Sequence, residues 1–360
     1  MRRDLRHVLQ GAALTVLAVA TTVGPILVSP QLASWFPGFD PTTGQVYVTL
    51  LATLGTLVTF AASVGLGYRE QRRHDVSRAY RAFATELGAG GAAVVVAAAI
   101  LTTGPAVSGG AVSPLLLVLA LLSVLVSIPL VVVVAVLAGV ALARLPTEWQ
   151  RSDAPFGSPL AVPVGAAVVA AGSVVVESGL MIVTSLSSDF GVPDRFSGFG
   201  GSAIETLSLY SSADSLASGL LLVGGGVALG IAGARRYDFD ESVRRFVVLV
   251  AVGSLVGTTV GPVIPAVVTD STLAGAFGTG SRWLVAWMAS LASAYVETAL
   301  VVTLAAVAGL GIGAFDRERG QGGSAPVPAD APGDVAAGNE ADTTDEERRS
   351  EFSPGDETAR

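Results

Sequence analysis

Two glutamates stand inside apolar runs, and each has a serine one helical turn before it. Ser173-Val-Val-Val-Glu177-Ser-Gly-Leu180 lies in the run Leu160–Leu186, and Ser293-Ala-Tyr-Val-Glu297-Thr-Ala-Leu300 lies in the run Trp283–Ala314. A four-residue spacing brings serine and glutamate onto one face of a helix. A charged carboxylate at the centre of a bilayer costs at least about 2.5–3.5 kcal/mol, so an acid at such depth points to function. The chain has no lysine, and no arginine falls near these positions. Three resolutions follow. Each acid is kept neutral by desolvation and hydrogen-bonded to its serine; or the two share a cation or proton; or they line a wet cavity. Glu177, Glu297, Ser173 and Ser293 therefore form the candidate intramembrane ion or proton site. The competing reading is structural, a neutral glutamic acid that fastens two helices.

The runs that carry these acids belong to a set of eight. Apolar segments at Val8–Ser29, Val46–Tyr68, Gly88–Val107, Pro114–Ala143, Leu160–Leu186, Ala213–Ala234, Phe246–Val268 and Trp283–Ala314 approach or exceed the 20 or so residues needed to cross about 30 Å of hydrocarbon. The expected fold class is all-α, a polytopic transmembrane helical bundle occupying residues 1–315. The first run, behind Arg2, Arg3 and Arg6, is longer than a cleaved signal peptide needs. In the second, Thr49, Thr53, Thr56 and Ser63 form a hydroxyl stripe of the kind that packs helices together. Pro129 should kink the fourth. Arg69–Leu87, with Val76, Tyr80, Phe83 and Leu87 at helical spacing, reads as a positive cytoplasmic loop or as a short interfacial helix. Gly253, Gly257 and Gly261 form a close-packing row that could serve a homo-oligomer. Asp316–Arg360 is acidic and offers nothing apolar to bury, so a disordered tail is expected.

Composition agrees and excludes much. Of 360 residues 51% are hydrophobic and 14% charged, and the mean hydropathy is +0.64. Soluble domains carry about 25% charged residues. All 21 basic residues are arginine. That usage, with a pI near 4.8, resembles in style the proteins of extreme halophiles. Without lysine there is neither a Walker A loop nor a retinal Schiff base. Without cysteine there are no disulfides, thiol catalysis or iron–sulfur ligation. His7 and His74 lie outside the apolar runs, and no hydrolase or metalloprotease motif is present. No cofactor, metal or nucleic-acid partner is expected. The partners implied are the lipid bilayer and a small solute or cation.

Repeated phrases suggest internal duplication. Thr21-Thr-Val-Gly-Pro25, Thr102-Thr-Gly-Pro105 and Thr258-Thr-Val-Gly-Pro262 end three odd-numbered runs, which suggests repeated hairpins. The two glutamate phrases lie on runs of opposite direction, as an inverted repeat would require. Buried acids, Gly-Pro steps and these repeats favour a secondary transporter or permease; the glycine rows favour a non-catalytic scaffold or subunit of a membrane complex.

Eight spans place both termini on one side. Fourteen arginines ahead of the last run fall on that side, Arg2, Arg3 and Arg6 among them, against Arg195 and Arg282 opposite, so the termini should be cytoplasmic. With no native cysteine to remove, a membrane-impermeant thiol reagent should label Ser34→Cys and Ser197→Cys in intact cells and spare Ser77→Cys. Labelling at 77 would reverse the orientation.

Overall fold

The computed structural model describes residues 2–35, 41–108, 114–144, 160–179, 203–236, 243–263 and 281–322. Among these the chain is entirely helical. The helices are α1 (Arg2–Trp35), α2 (Pro41–His74), α3 (Tyr80–Ser108), α4 (Pro114–Leu125), α5 (Val131–Arg144), α6 (Ala161–Glu177), α7 (Ala203–Arg236), α8 (Val243–Val260) and α9 (Ser281–Gly322). Six helical stretches are long and apolar enough to cross a membrane: Val46–His74, Val76–Leu101, Leu117–Arg144, Leu209–Ala234, Val243–Val260 and Ala292–Asp316. Leu54, Ile100, Leu101, Val168 and Leu255 stand exposed on their outer faces, a belt that water would not tolerate and lipid would. This is the build of an integral membrane protein.

Several boundaries differ from the sequence reading, each for a local reason. Between α2 and α3 there is almost no loop. One residue, Asp75, adopts φ 46°, and the 3-10 turn Val76–Ala79 starts the next helix. Asp75 accepts hydrogen bonds from Gln71 and Ser77, and these, with Arg144 and Arg78 nearby, hold its carboxyl below the ordinary range. Val76, Tyr80, Phe83 and Leu87 do share one face, but that face is buried in the bundle core and is not laid on lipid. Ser77 is 3% exposed, so a cysteine there is shielded; Arg78, with 88% of its side chain exposed, is the better probe of orientation. At Pro129 the kink takes the form of a π-helical turn, Val126–Leu130, between α4 and α5. This turn absorbs the missing proline donor. The Gly-Pro step at 24–25 does not break α1, whereas the one at 261–262 ends α8 in a turn. The last helix continues past Asp316 to Gly322, so the tail does not begin where the acidic composition does; the rest of the expected tail, 323–360, lies outside the described residues.

Glycine sets the packing. A side-chain carbon on Gly67 would fall on the carbonyl oxygen of Val136, and one on Gly139 on that of Val64. The same reciprocal contact joins Gly230 to Ala306 and Gly309 to Val227, and joins Gly11 to Leu87 and Gly90 to Val8. Each glycine meets the residue three before the glycine opposite. That register puts the two glycines at one level, with both helices pointing the same way and their backbones in Cα–H···O contact. Gly253 and Gly257 pack likewise on the backbone of Pro163 and Ala167. The parallel pairs are thus α1 with α3, α2 with α5, α6 with α8 and α7 with α9. The row Gly253, Gly257 and Gly261 is therefore spent within the chain, on α6. An oligomer contact through it would need α6 to leave.

These pairs form two units built to one plan. In the first, α1 also packs on α2, antiparallel, with Arg6 and Gln10 at Glu70 and Thr21 at Thr59. In the second, α6 packs antiparallel on α7, with Gly165 against Leu229 and Gly172 against Leu221. The units join through α2, α4, α5, α7 and α9, and Gly311 rests on Ala141 at the seam. Aligning the matched glycines brings Val64-Gly-Leu-Gly67 onto Val227-Ala-Leu-Gly230. The same register brings Arg72-Arg73-His74-Asp75 onto Arg235-Arg236-Tyr237-Asp238, and the buried Phe83 onto the buried Phe246. The repeat runs in one direction, one unit followed by the other. It is not the inverted repeat that the glutamate phrases suggested.

Substitution at these crossings should be costly in a position-specific way. Gly67→Ala or Gly309→Ala forces backbones apart and should lower stability in detergent by about 1–3 kcal/mol, the scale of overpacking. Gly224→Ala, with nothing within 4 Å, should leave the thermal midpoint unchanged or slightly higher. Equal effects at all three positions would contradict the glycine register.

Candidate functional site

Glu297 lies in the first half of the described part of α9, against α2. Thr56 donates to its Oε1 at 3.3 Å while also bonding the Ala52 carbonyl. Ser293, one turn earlier, shares a 2.6 Å hydroxyl pair with Thr53. Two members of the hydroxyl stripe on α2 thus hold the acid and its serine, a role that spacing alone could not separate from packing. The seam has a counterpart across the bundle, where Ser123 on α4 donates to Ser215 on α7 at 3.0 Å. At the level where α9 carries Glu297, however, the π-helical turn after α4 carries the hydroxyl of Ser127, bonded to its own helix. The acid belongs to one unit alone.

Glu177 is the last residue of α6. Within the expected run Leu160–Leu186, α6 ends at Glu177 with Ser178 as its C-cap; residues from 180 onward lie outside those described. Glu177 is exposed and Glu297 partly buried. The two carboxylates are close enough to act on each other electrostatically. The negative end of the α6 dipole adds to the charge at Glu177. Asp214 on α7 lies beside the same end, its carboxyl oxygens 3.4 Å from where a side chain on Gly179 would begin. Among the described residues no arginine pairs with Glu177 or Glu297, and no cluster of three acids or histidines is arranged to hold a metal.

The serines separate. Ser173 is buried at 1% exposure and gives its hydrogen to the Ala170 carbonyl, so it does not serve Glu177. Because α6 runs against α9, the two serines lie on opposite sides of the glutamate level, about 12 Å apart along the axis. Only Ser293 stays with the acids.

The other end of α2 holds an acid that spacing did not reveal. Glu70 is fully buried, although it lies in an arginine-rich stretch of sequence. Arg6 bonds it at 2.6 Å, Gln10 at 3.2 Å, and His74 stands 3.8 Å from its second oxygen. Beside it His7 meets Glu86 at 2.6 Å and Phe83 edge-on. The same face of α2 continues through Ser63 and Thr59 toward Thr56.

No family model, curated protein or solved structure matches this chain.

Cysteines introduced at Thr53 and Ser293 should crosslink on mild oxidation, while the pair Ser173→Cys and Ser293→Cys should not. The reverse outcome would move the site from the α2–α9 seam to an α6–α9 contact.

Proposed function

We propose that this chain is a secondary transporter or permease for a small solute or cation, coupled through Glu297 with Glu177 beside it. Eight crossings support this reading. Besides the six long apolar helices, α1 and α6 lie parallel to α3 and α8 and share their depth. An even number leaves both termini on one face, and the 14-to-2 division of arginines makes that face cytoplasmic. On this orientation Glu297, level with Thr56, lies about 27 Å from the cytoplasmic end of α2, in the outer half of the bilayer.

One observation carries the proposal. Glu297 accepts a hydrogen bond from Thr56 at a helix seam, lies within electrostatic reach of Glu177, and among the described residues has no arginine to neutralise it. A proton or small cation placed there relieves the repulsion that the pair creates. Binding and release of that charge, at a seam where the two units meet, is the event a coupled carrier needs.

The second reading is a non-catalytic scaffold or membrane-complex subunit, with Glu297 as a neutral clamp between α2 and α9. The tight glycine crossings favour it, because they resist the sliding of helices.

Glutamine separates the two. Glu297→Gln keeps the hydrogen bonds and loses the charge. In proteoliposomes loaded with a pH- or cation-sensitive dye, wild-type protein should show ion-dependent flux that Glu297→Gln abolishes, with thermal stability within about 1 kcal/mol of wild type. A variant that destabilises the bundle, in a wild type that moves no ion, would favour the clamp.

A further inference from the structure

The deepest unexplained feature is a set of buried polar atoms between Glu70 and Thr56. Gln10 Oε1, Thr15 Oγ1, Ser63 Oγ and Glu70 Oε2 are buried without a hydrogen-bond partner. Glu70, Thr15 and Ser63 are each 0% exposed. One such group costs about 1–3 kcal/mol, so four together call for something that bonds them. They also fall in order. The antiparallel register of α1 and α2 is pinned by Gln10 at Glu70 and by Thr21 at Thr59; Ser63 falls between those contacts on α2, and Thr15, near the same level on α1, turns its hydroxyl toward Gly91 of α3 and Pro129. From Glu70 the polar levels descend through Ser63 with Thr15, then Thr59 with Thr21, then Thr56, which donates to Glu297.

We propose that these groups bind a single file of water that carries protons from the arginine-rich face of the bundle to Glu297. This rests on the reading of Glu297 as the coupling group. The gaps between levels suit water. At 1.5 Å of rise per residue they are about 10 Å, 6 Å and 4 Å, each bridged by one to three molecules. A bare metal cation fits poorly, because each level offers only one or two oxygens to replace its hydration shell.

The mouth of the file is built for proton exchange. His74, on the exposed turn of α2, lies 3.8 Å from the free oxygen of Glu70, and an imidazole both takes and gives a proton. Arg6 holds the other oxygen and keeps Glu70 fixed. Also at this level, His7 on α1 and Glu86 on α3 are bonded to each other, and Arg69, Arg72 and Arg73 flank Glu70 along α2. At the far end the groups facing Glu297 are Glu177, Thr56 and Ser293. In the transfer, a hydronium at the mouth loses a proton. Each O–H bond along the file breaks as the next one forms, and the last O–H bond forms on Glu297, which becomes neutral.

Time-resolved infrared spectroscopy of the full chain in lipid nanodiscs tests this without knowledge of the solute. The carboxylic C=O band of Glu297, identified by its loss in Glu297→Gln, should appear quickly after a drop in pH. In Thr15→Val with Ser63→Ala it should appear roughly tenfold more slowly, the equivalent of about 1.4 kcal/mol in barrier, with its equilibrium midpoint unmoved. Thr15→Ser, which keeps the hydroxyl, should retain the wild-type rate. Thr15→Val alone, nearly isosteric, gives the same comparison if the double variant does not fold. Unchanged kinetics in the hydroxyl-free variants would overturn the file and leave the role of Glu297 standing. A Glu297 band that never titrates would overturn both.

Discussion

Glycine lets one helix backbone rest directly on another, and the arrangement of this bundle follows from that contact. In lipid there is no hydrophobic gain from bringing two apolar helices together, so van der Waals packing and weak Cα–H···O contacts must hold them. Gly67 with Gly139, and Gly230 with Gly309, bring four helices to their closest approach, two in each unit. Once those crossings are set, the remaining faces of α2 and α9 have little freedom. They meet along a seam, and on that seam lie Thr53, Thr56, Ser293 and Glu297.

The same contact explains why polar groups survive inside. Rigid crossings near the arginine-rich end cannot collapse around Ser63 and Thr15 to exclude or satisfy them. Both hydroxyls remain unbonded although fully buried, and Thr15 sits near Gly91 and the π-helical turn at Pro129. Other buried hydroxyls turn back on their own helices, as Ser173, Ser254 and Thr258 do. On α2, polar side chains recur along one face from Glu70 to Thr53.

Spans, their order and the close-packing role of the glycines were legible because apolar length and four-residue glycine spacing are local properties. What each glycine row packs against was not local. Gly253, Gly257 and Gly261 look alike whether they face α6 or a second molecule. Duplication was visible as repeated Thr-Gly-Pro phrases, but its unit was misjudged, because the phrases recur within a unit as well as between units. The glutamate phrases misled for a related reason. Ser173 and Ser293 hold the same place in sequence, yet one faces its own helix and the other a hydroxyl on α2, since α6 ends where α9 continues. Glu70 was hidden by its neighbours: Arg69, Arg72 and Arg73 mark the stretch as surface, and only the packing of α1 shows that this one side chain turns inward.

A high-resolution structure determined in lipid, with water resolved between α1 and α2, bears most directly on the link from glycine crossings to a hydrated polar seam. The expected result is ordered water bonded to Thr15, Ser63 and the free oxygen of Glu70, continuing to Thr56 and ending at Glu297. Dry contact at Thr15 and Ser63, with both hydroxyls bonded to backbone carbonyls and Glu297 sealed by protein alone, would contradict it.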